Sequence, residues 1–288
     1  MISLLYLRLR ESRPNSRKVI SNRIMSRHVD RALKSSLIQK DIWYRVLLPD
    51  DYLRSEGRYA VLYLLHGLFG SFENWTDLTG LGEYIRNYRL IVVMPEGGDN
   101  WYTDTLAGEA NESHLIHELL PEIDATFRTV TDRMGRAIAG NSMGGYGAFK
   151  FALKYPTLFG IAVSFGGAFH VPKLFGPSEY GNWDELGPSI SRVFGNPKSR
   201  TRVDNDIEQI LAGLTRQQIA SLPYLYLDCG LQDGFLQVNR EMETTLSGFG
   251  VSHEYHEFEG GHEWPYWDAR LPDLLDLLFR KLNVSNLK

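Results

Sequence analysis

The sequence predicts an α/β protein with a mostly parallel central sheet flanked by helices. Apolar runs such as 59–65 (YAVLYLL) and 90–94 (LIVVM) are nearly free of polar residues, as expected for strands buried on both faces. Segments with helical spacing alternate with these runs along the chain. The length of 288 residues, with 43% hydrophobic and 23% charged residues, fits one large globular domain.

The predicted elements follow one another along the chain. Strands are predicted at 42–48, 59–65, 90–94, 136–139, 161–165, 224–227 and 254–258. Helices are predicted at 111–127, 145–155, 242–249 and 271–282. The stretch 166–218 has four prolines and no strong strand, so we expect a helical and loop excursion over the sheet edge and the site there. His28 is expected to precede the first strand.

The first 24 residues differ from the rest in charge. They carry +5, from six basic residues against one acidic, which leaves −9 for the remainder of a chain whose total is −4. We expect residues 1–24 to form a disordered basic extension, with a targeting segment as the alternative, and residues 25–288 to form the domain. A domain with a net charge of −9 is a poor partner for nucleic acid, because contacts to phosphate need a basic surface.

Other compositional features bear on location. No apolar run reaches the roughly 18 residues that a membrane-spanning helix needs, and the first residues lack the pattern of a secretory signal. The single cysteine, Cys229, cannot form an internal disulfide. We therefore expect a cytoplasmic protein without a membrane partner, and leave a homo-oligomer open.

Residues 138–148 (IAGNSMGGYGA) place one serine among glycines. Gly140, Ser142 and Gly144 form the pattern G-x-S-x-G between a predicted strand and a predicted helix, which is the setting of a nucleophile elbow. The two glycines remove Cβ atoms that would collide in such a turn. An ordinary glycine-rich turn is the alternative.

A serine hydroxyl needs a base and a group that orients the base. His262 follows two glycines in the loop after the strand at 254–258, where this chemistry places its histidine. His66 precedes the serine in the chain, whereas the base of this fold follows the serine and the acid. The i,i+3 pair His114 and His117 could hold a metal, but a solvated helix face explains it more simply. We therefore expect no metal and no cofactor.

The acid and the oxyanion donors are predicted from position. Asp233 lies in the loop after the strand at 224–227, whereas Asp228 is still on that strand and is expected to be structural. Cys229 is expected to be a buried apolar residue. Backbone N–H groups of Met143, after the serine, and of Leu68, in the loop 66–70 (HGLFG), are the expected oxyanion donors. A plain glycine-rich turn is the alternative for that loop.

Taken together, these motifs resemble the esterase family of α/β-hydrolases. That family includes tributyrin-type esterases, S-formylglutathione hydrolases, feruloyl-esterase-like domains and mycolyltransferases. The resemblance covers about residues 40–280 and is clearest to the tributyrin-type group. It rests on VLYLLHGLFGSFENW (61–75), VVMPEGGDNWYTD (92–104), IAGNSMGGYGAFKFALKYPTLF (138–159), CGLQDGF (229–235) and GGHEWPYW (260–267).

The resemblance implies an α/β-hydrolase catalytic domain at 25–288. It implies Ser142, Asp233 and His262 as a catalytic triad, with Leu68 and Met143 at the oxyanion hole. The expected activity is that of a serine carboxylesterase acting on short acyl esters or thioesters. The alternatives are an S-formylglutathione hydrolase, an acyltransferase of the mycolyltransferase type and a binding module without catalysis.

Aromatic residues near these motifs are candidates for the substrate pocket. The resemblance implies that Trp101 and Tyr102, in the segment GGDNWYTD, lie beside the site. Phe235 and Trp264 flank the predicted acid and base in the chain. We expect these four rings to enclose a small acyl group.

Overall fold

The computed structural model describes residues 28–174 and 183–282, so the predicted basic extension 1–24 lies outside the described residues. The strands are β1 (His28–Ser35), β2 (Lys40–Leu47), β3 (Ala60–Leu65), β4 (Leu90–Pro95), β5 (Arg136–Asn141), β6 (Ile161–Phe165), β7 (Tyr224–Gly230) and β8 (His253–Phe258). The helices are α1 (Asn74–Asp77), α2 (Leu81–Tyr84), α3 (Asn111–His114), α4 (Leu120–Thr126), α5 (Met143–Lys154), α6 (Trp183–Phe194), α7 (Arg200–Asn205), α8 (Ile207–Ala212), α9 (Arg216–Ala220), α10 (Leu236–Phe249) and α11 (Trp264–Lys281). Short 3₁₀ turns cover Ile85–Asn87, Arg133–Gly135 and Val171–Lys173, and a π-helical turn, Leu115–Leu119, joins α3 to α4.

These strands form one sheet in the order β1-β2-β4-β3-β5-β6-β7-β8. The six strands from β4 to β8 in that order are parallel, and β1 and β2 are antiparallel to their neighbours. This confirms the predicted α/β fold with a mostly parallel sheet. Because parallel strands end at the same edge, the loops after β3, β5, β7 and β8 gather at one side of the sheet.

Hydrophobic layers cover both faces of the sheet. In β3, Val61, Tyr63 and Leu65 face one layer, which includes side chains of α4, α5 and α10. Leu62 and Leu64 face the other layer, which includes side chains of α11. This alternation with burial on both sides explains why the strand is apolar throughout.

The first strand was not expected. β1 pairs along its whole length with β2, from His28 opposite Leu47 to Ser35 opposite Lys40. The expectation that His28 precedes the fold is therefore wrong. The cause is that β1 is a largely exposed edge strand with charged residues, so it carries no clear apolar pattern.

The predicted helix at 111–127 is interrupted by the π-helical turn and ends at Thr126. His117 is exposed, but His114 is buried, so a solvated face is wrong for His114. Its Nδ1 lies 2.7 Å from Oε2 of Glu118, whose carboxylate also accepts hydrogen bonds from the turn after β1, including Ser36 N–H at 2.7 Å. Within the described ranges, no cluster of His, Cys, Asp or Glu could hold a metal ion.

The predicted excursion between β6 and β7 contains helices α6 to α9, and its residues 175–182 lie outside the described part of the chain. It packs on α5, where Tyr146 Oη donates to the Asn205 carbonyl at 2.8 Å. It also contacts the loop after β4, where Trp101 Nε1 donates to Ser189 Oγ at 3.1 Å. No helix in the described ranges is long and apolar enough to cross a membrane.

Candidate active site

Ser142 lies at the turn between β5 and α5 in a strained backbone conformation. Its φ of 54° and ψ of −116° are rare for a residue with a side chain. Its N–H donates to the Phe165 carbonyl at 3.0 Å. A Cβ at Gly140 would lie 2.5 Å from the Gly144 backbone, and one at Gly144 would lie 2.5 Å from the Leu65 carbonyl oxygen. The flanking glycines are therefore required by this turn.

Asp233 and His262 are joined by a hydrogen bond. Asp233 follows β7 and His262 follows β8, and their Oδ2 and Nδ1 atoms are 2.8 Å apart. Asp233 Oδ1 accepts the Phe235 N–H at 2.8 Å, and the carboxylate is fully buried. Because an ionised carboxylate only accepts hydrogen bonds, Nδ1 of the neutral imidazole carries the proton and Nε2 is free to act as a base.

The loops that carry these three residues converge around Gly166. This glycine follows Phe165, whose carbonyl binds the Ser142 N–H, and its φ is 55°. A Cβ at Gly166 would lie 2.7 Å from Asp233 Oδ2 and 3.4 Å from His262 Nδ1. A glycine pair after a strand predicts no more than a turn, so the sequence alone does not place Gly166 in the site.

Aromatic rings surround the imidazole of His262. The Phe235 ring centroid is 4.9 Å away, and the Trp267 ring is 5.1 Å away and nearly perpendicular. Trp264 packs edge-on against Trp75 and Trp267. Trp267 was missed, although its position three residues after Trp264 at the start of α11 places both on one side of that helix.

Trp101 and Tyr102 are buried, with exposed fractions of 1% and 2%. Both have a positive φ, 53° and 49°, and both make structural hydrogen bonds. Tyr102 Oη donates to the His66 carbonyl at 3.2 Å, and its own carbonyl accepts from Lys150 Nζ at 2.6 Å. The structure therefore gives both residues packing roles, and contact with substrate stays a prediction.

The loop 66–70 follows β3 and lies against the serine. A Cβ at Gly67 would be 3.5 Å from Ser142 Cβ. Within the described ranges, neither the N–H of Leu68 nor that of Met143 donates a hydrogen bond to the protein. Backbone donors without a protein acceptor in these ranges, a serine at a strained turn and an imidazole held by a carboxylate are the parts that acyl-transfer chemistry uses.

Asp228 and Cys229 are buried next to the site. Tyr266 Oη donates to Asp228 Oδ1 at 2.7 Å, and burial, opposed by that bond, raises the pKa of Asp228 to about 7. The carboxylate of Asp228 thus serves the packing of α11 on β7, as expected. Burial also raises the pKa of the Cys229 thiol, so a thiolate is disfavoured there.

Comparison with known proteins places the chain in a family. The family model described as "Putative esterase" matches residues 35–278. The chain belongs to this esterase family. An esterase of Mycobacterium tuberculosis strain H37Rv is 36% identical over 242 residues, which are 75% of this chain and 51% of that protein. The chain thus spans about half the length of that relative.

Other relatives match over almost their whole length. The acetyl esterase of Caldicellulosiruptor saccharolyticus is 32% identical over 251 residues, 84% of this chain and 94% of that protein. The solved structure of a ferulic acid esterase has a TM-score of 0.76 at 26% identity and covers 88% of this chain and 98% of its own. A fluorophosphonate-binding serine hydrolase of Staphylococcus aureus has a TM-score of 0.76 at 25% identity, with coverage of 87% and 97%.

Proposed function

We propose that this protein is a serine carboxylesterase that hydrolyses short acyl esters or thioesters through an acyl-enzyme on Ser142. The observation that carries the proposal is the hydrogen-bonded pair of Asp233 and His262, whose loops converge with the strained turn of Ser142. Family membership and the similarity to a fluorophosphonate-binding serine hydrolase support it.

In the proposed mechanism, Ser142 Oγ attacks the acyl carbon while His262 Nε2 takes its proton. The oxyanion accepts hydrogen bonds from the N–H groups of Leu68 and Met143. The intermediate collapses, and the leaving alcohol or thiol receives the proton from His262. Water then attacks the acyl-enzyme, His262 takes its proton, and the acid leaves as Ser142 Oγ is reprotonated.

We expect a small acyl group beside the imidazole. The half-buried Phe235 ring lies 4.9 Å from it, whereas Trp267, 5.1 Å away, is buried in the core with an exposed fraction of 1%. The acetyl esterase relative, matched over 94% of its length, supports a small acyl group. The mechanism uses no cofactor, its partner is a small-molecule substrate, and we retain the prediction of a cytoplasmic protein.

Acyl transfer to an alcohol is the alternative chemistry from the same acyl-enzyme. It is favoured by a diacylglycerol acyltransferase/mycolyltransferase of Mycobacterium leprae that is 25% identical over 268 residues, 80% of this chain. Adding alcohol acceptors during turnover separates the two reactions, because a transferase forms the new ester and a hydrolase releases mainly the free acid.

The substrate class is tested with p-nitrophenyl esters from acetate to laurate, measured beside S-formylglutathione, with Ser142→Ala as the inactive control. We expect kcat/KM to peak at about two to four acyl carbons, as for the acetyl esterase relative, because a CH₂ group that finds no apolar surface gains none of the about 0.8 kcal/mol that its burial would give. A rise that continues through octanoate would favour the acyltransferase, and a preference for S-formylglutathione would favour that hydrolase.

A further inference from the structure

His66, the first residue of the loop 66–70, is buried and makes hydrogen bonds at both ring nitrogens. Its exposed fraction is 1%. Nε2 lies 2.9 Å from the Gly97 nitrogen and accepts its N–H. Nδ1 lies 2.7 Å from the carbonyl oxygen of Gly67. The proposed mechanism gives His66 no part in proton transfer, so these contacts need another explanation.

The Gly97 contact determines the tautomer of the ring. A backbone N–H is always a donor, so Nε2 must be the unprotonated nitrogen of a neutral imidazole. Nδ1 then carries the proton and donates it to the Gly67 carbonyl. Nε2 also lies 3.5 Å from Glu96 Oε1, but that carboxylate oxygen accepts the Gly98 N–H at 2.7 Å. Glu96 therefore does not require a charged His66.

The bond to Gly67 has a consequence for Leu68. The Gly67 carbonyl and the Leu68 N–H belong to one planar trans peptide, so they point in opposite directions. Two donors hold this carbonyl, the His66 Nδ1–H at 2.7 Å and the Gly70 N–H at 3.1 Å, and together they fix the direction of the Leu68 N–H on the other side of the peptide. The Leu68 N–H has no acceptor among the described residues, and the loop abuts Ser142 through Gly67.

We infer that His66 is a positioning residue: its Nδ1–H holds the Gly67 carbonyl and thereby aims the Leu68 N–H at the developing oxyanion. The inference rests on the proposed function, since Leu68 is an oxyanion donor in that mechanism. Tyr102 also holds the start of this loop, because its hydroxyl donates to the His66 backbone carbonyl at 3.2 Å.

Two substitutions of His66 distinguish the hydrogen bond at Nδ1 from the hydrogen bond at Nε2. In His66→Asn the amide N–H₂ stands near the place of Nδ1 and still donates to Gly67, while the acceptor for Gly97 is lost. In His66→Gln the amide oxygen reaches the place of Nε2 and accepts from Gly97, while the donor to Gly67 is lost. We expect His66→Gln to lose about 10²-fold in kcat, as for a lost oxyanion donor, with KM within about threefold. His66→Asn should stay within about tenfold of wild type.

The matched control is the buried His114, which lies on α3 away from the proposed mechanism. His114→Asn and His114→Gln should change the melting temperature without any difference in kcat between them. Equal kcat losses in the two His66 variants, or a larger loss in His66→Asn, would overturn the inference. If wild type shows neither ester turnover nor labelling of Ser142, the proposed function fails instead.

A second measurement uses the unaltered protein and does not depend on how the variants fold. Two-bond ¹H–¹⁵N NMR correlations distinguish the protonated from the unprotonated imidazole nitrogen. At the pH of the activity assay, His66 should show a protonated Nδ1 and an unprotonated Nε2. The opposite tautomer, or an imidazolium, would overturn the inference.

Discussion

The substitution Glu112→Gln tests a buried charge cluster that supports the loop of Trp101 and Tyr102. Lys150 is fully buried in α5, and its Nζ contacts Glu112 Oε2 at 2.9 Å and the Tyr102 carbonyl at 2.6 Å. Glu112 also pairs with Lys154 at 2.5 Å. Removing the glutamate charge leaves Lys150 inside the protein without its carboxylate.

The pKa shifts of Glu112 and Lys150 indicate how much this contact contributes to the free energy of unfolding. Burial raises the pKa of Glu112, but the charges of Lys150 and Lys154 outweigh it and bring it from 4.5 to about 2. Burial lowers the pKa of Lys150 from 10.5 to about 8 despite the nearby Glu112. The lowered pKa of Glu112 corresponds to about 3 kcal/mol of stability at neutral pH, whereas the lowered pKa of Lys150 reflects a burial that opposes folding. Removing the Glu112 charge leaves this buried ammonium without its carboxylate, which should cost about 3 kcal/mol.

Urea unfolding followed by tryptophan fluorescence measures this cost. At pH 7 we expect Glu112→Gln to lose about 3 kcal/mol and the double variant Glu112→Gln/Lys150→Met to recover most of it. The loss should shrink as the pH falls from 4.5 to 2, because unfolded Glu112 binds a proton there while folded Glu112 stays ionised. The exposed residue Glu83, paired with Arg86, is the control, and Glu83→Gln should change stability by less than about 0.5 kcal/mol. A loss below about 1 kcal/mol for Glu112→Gln, or one that does not change with pH, would show that the buried Lys150 does not depend on the Glu112 charge.

Three further predictions follow from the site. Asp233→Asn should lower kcat about 10³- to 10⁴-fold, because an amide no longer selects the His262 tautomer that carries its proton on Nδ1. Asp228→Asn should mainly lower the melting temperature. If Asp228→Asn lowers kcat and Asp233→Asn does not, Asp228 is the acid of the triad. Gly144→Ala should lose at least about 2 kcal/mol in urea unfolding, since its Cβ would meet backbone oxygens at 2.5 and 2.8 Å, while Gly248→Ala, with open space around it, should be neutral or stabilising. A chain that starts at Met25 should keep the kcat/KM of the full chain, and loss of activity would show that the basic extension packs on the domain.

The motifs of the site could be predicted because their constraints are local. The turn at Ser142 requires a glycine at 140, because a Cβ there would meet the Gly144 backbone of the same turn, and the G-x-S-x-G spacing reports this in the sequence; the Gly144 collision is with Leu65 and His66 of the neighbouring strand β3 and its loop. The choice of Asp233 over Asp228 followed from one residue lying past the strand end and the other still on it. The structure has Asp233, and not Asp228, in contact with His262.

Other features depend on contacts between distant segments and could not be predicted. β1 forms by pairing with β2, and its own sequence has no apolar pattern that would predict a strand. The burial of Trp101 and the convergence of loops on Gly166 arise from residues far apart in the sequence. The ring of Trp267 lies 5.1 Å from that of His262, a contact that depends on how the loop after β8 leads into α11.

The most direct test of the account is the site of covalent labelling by a fluorophosphonate, which reacts with a serine that a base activates. Wild-type protein should gain the mass of one phosphonyl group, and peptide mapping should place it on Ser142. Ser142→Ala should gain none, and His262→Ala should react far more slowly while keeping its fold. A wild-type protein that remains unlabelled, or an adduct on a different serine that persists in Ser142→Ala, would contradict the proposed serine mechanism.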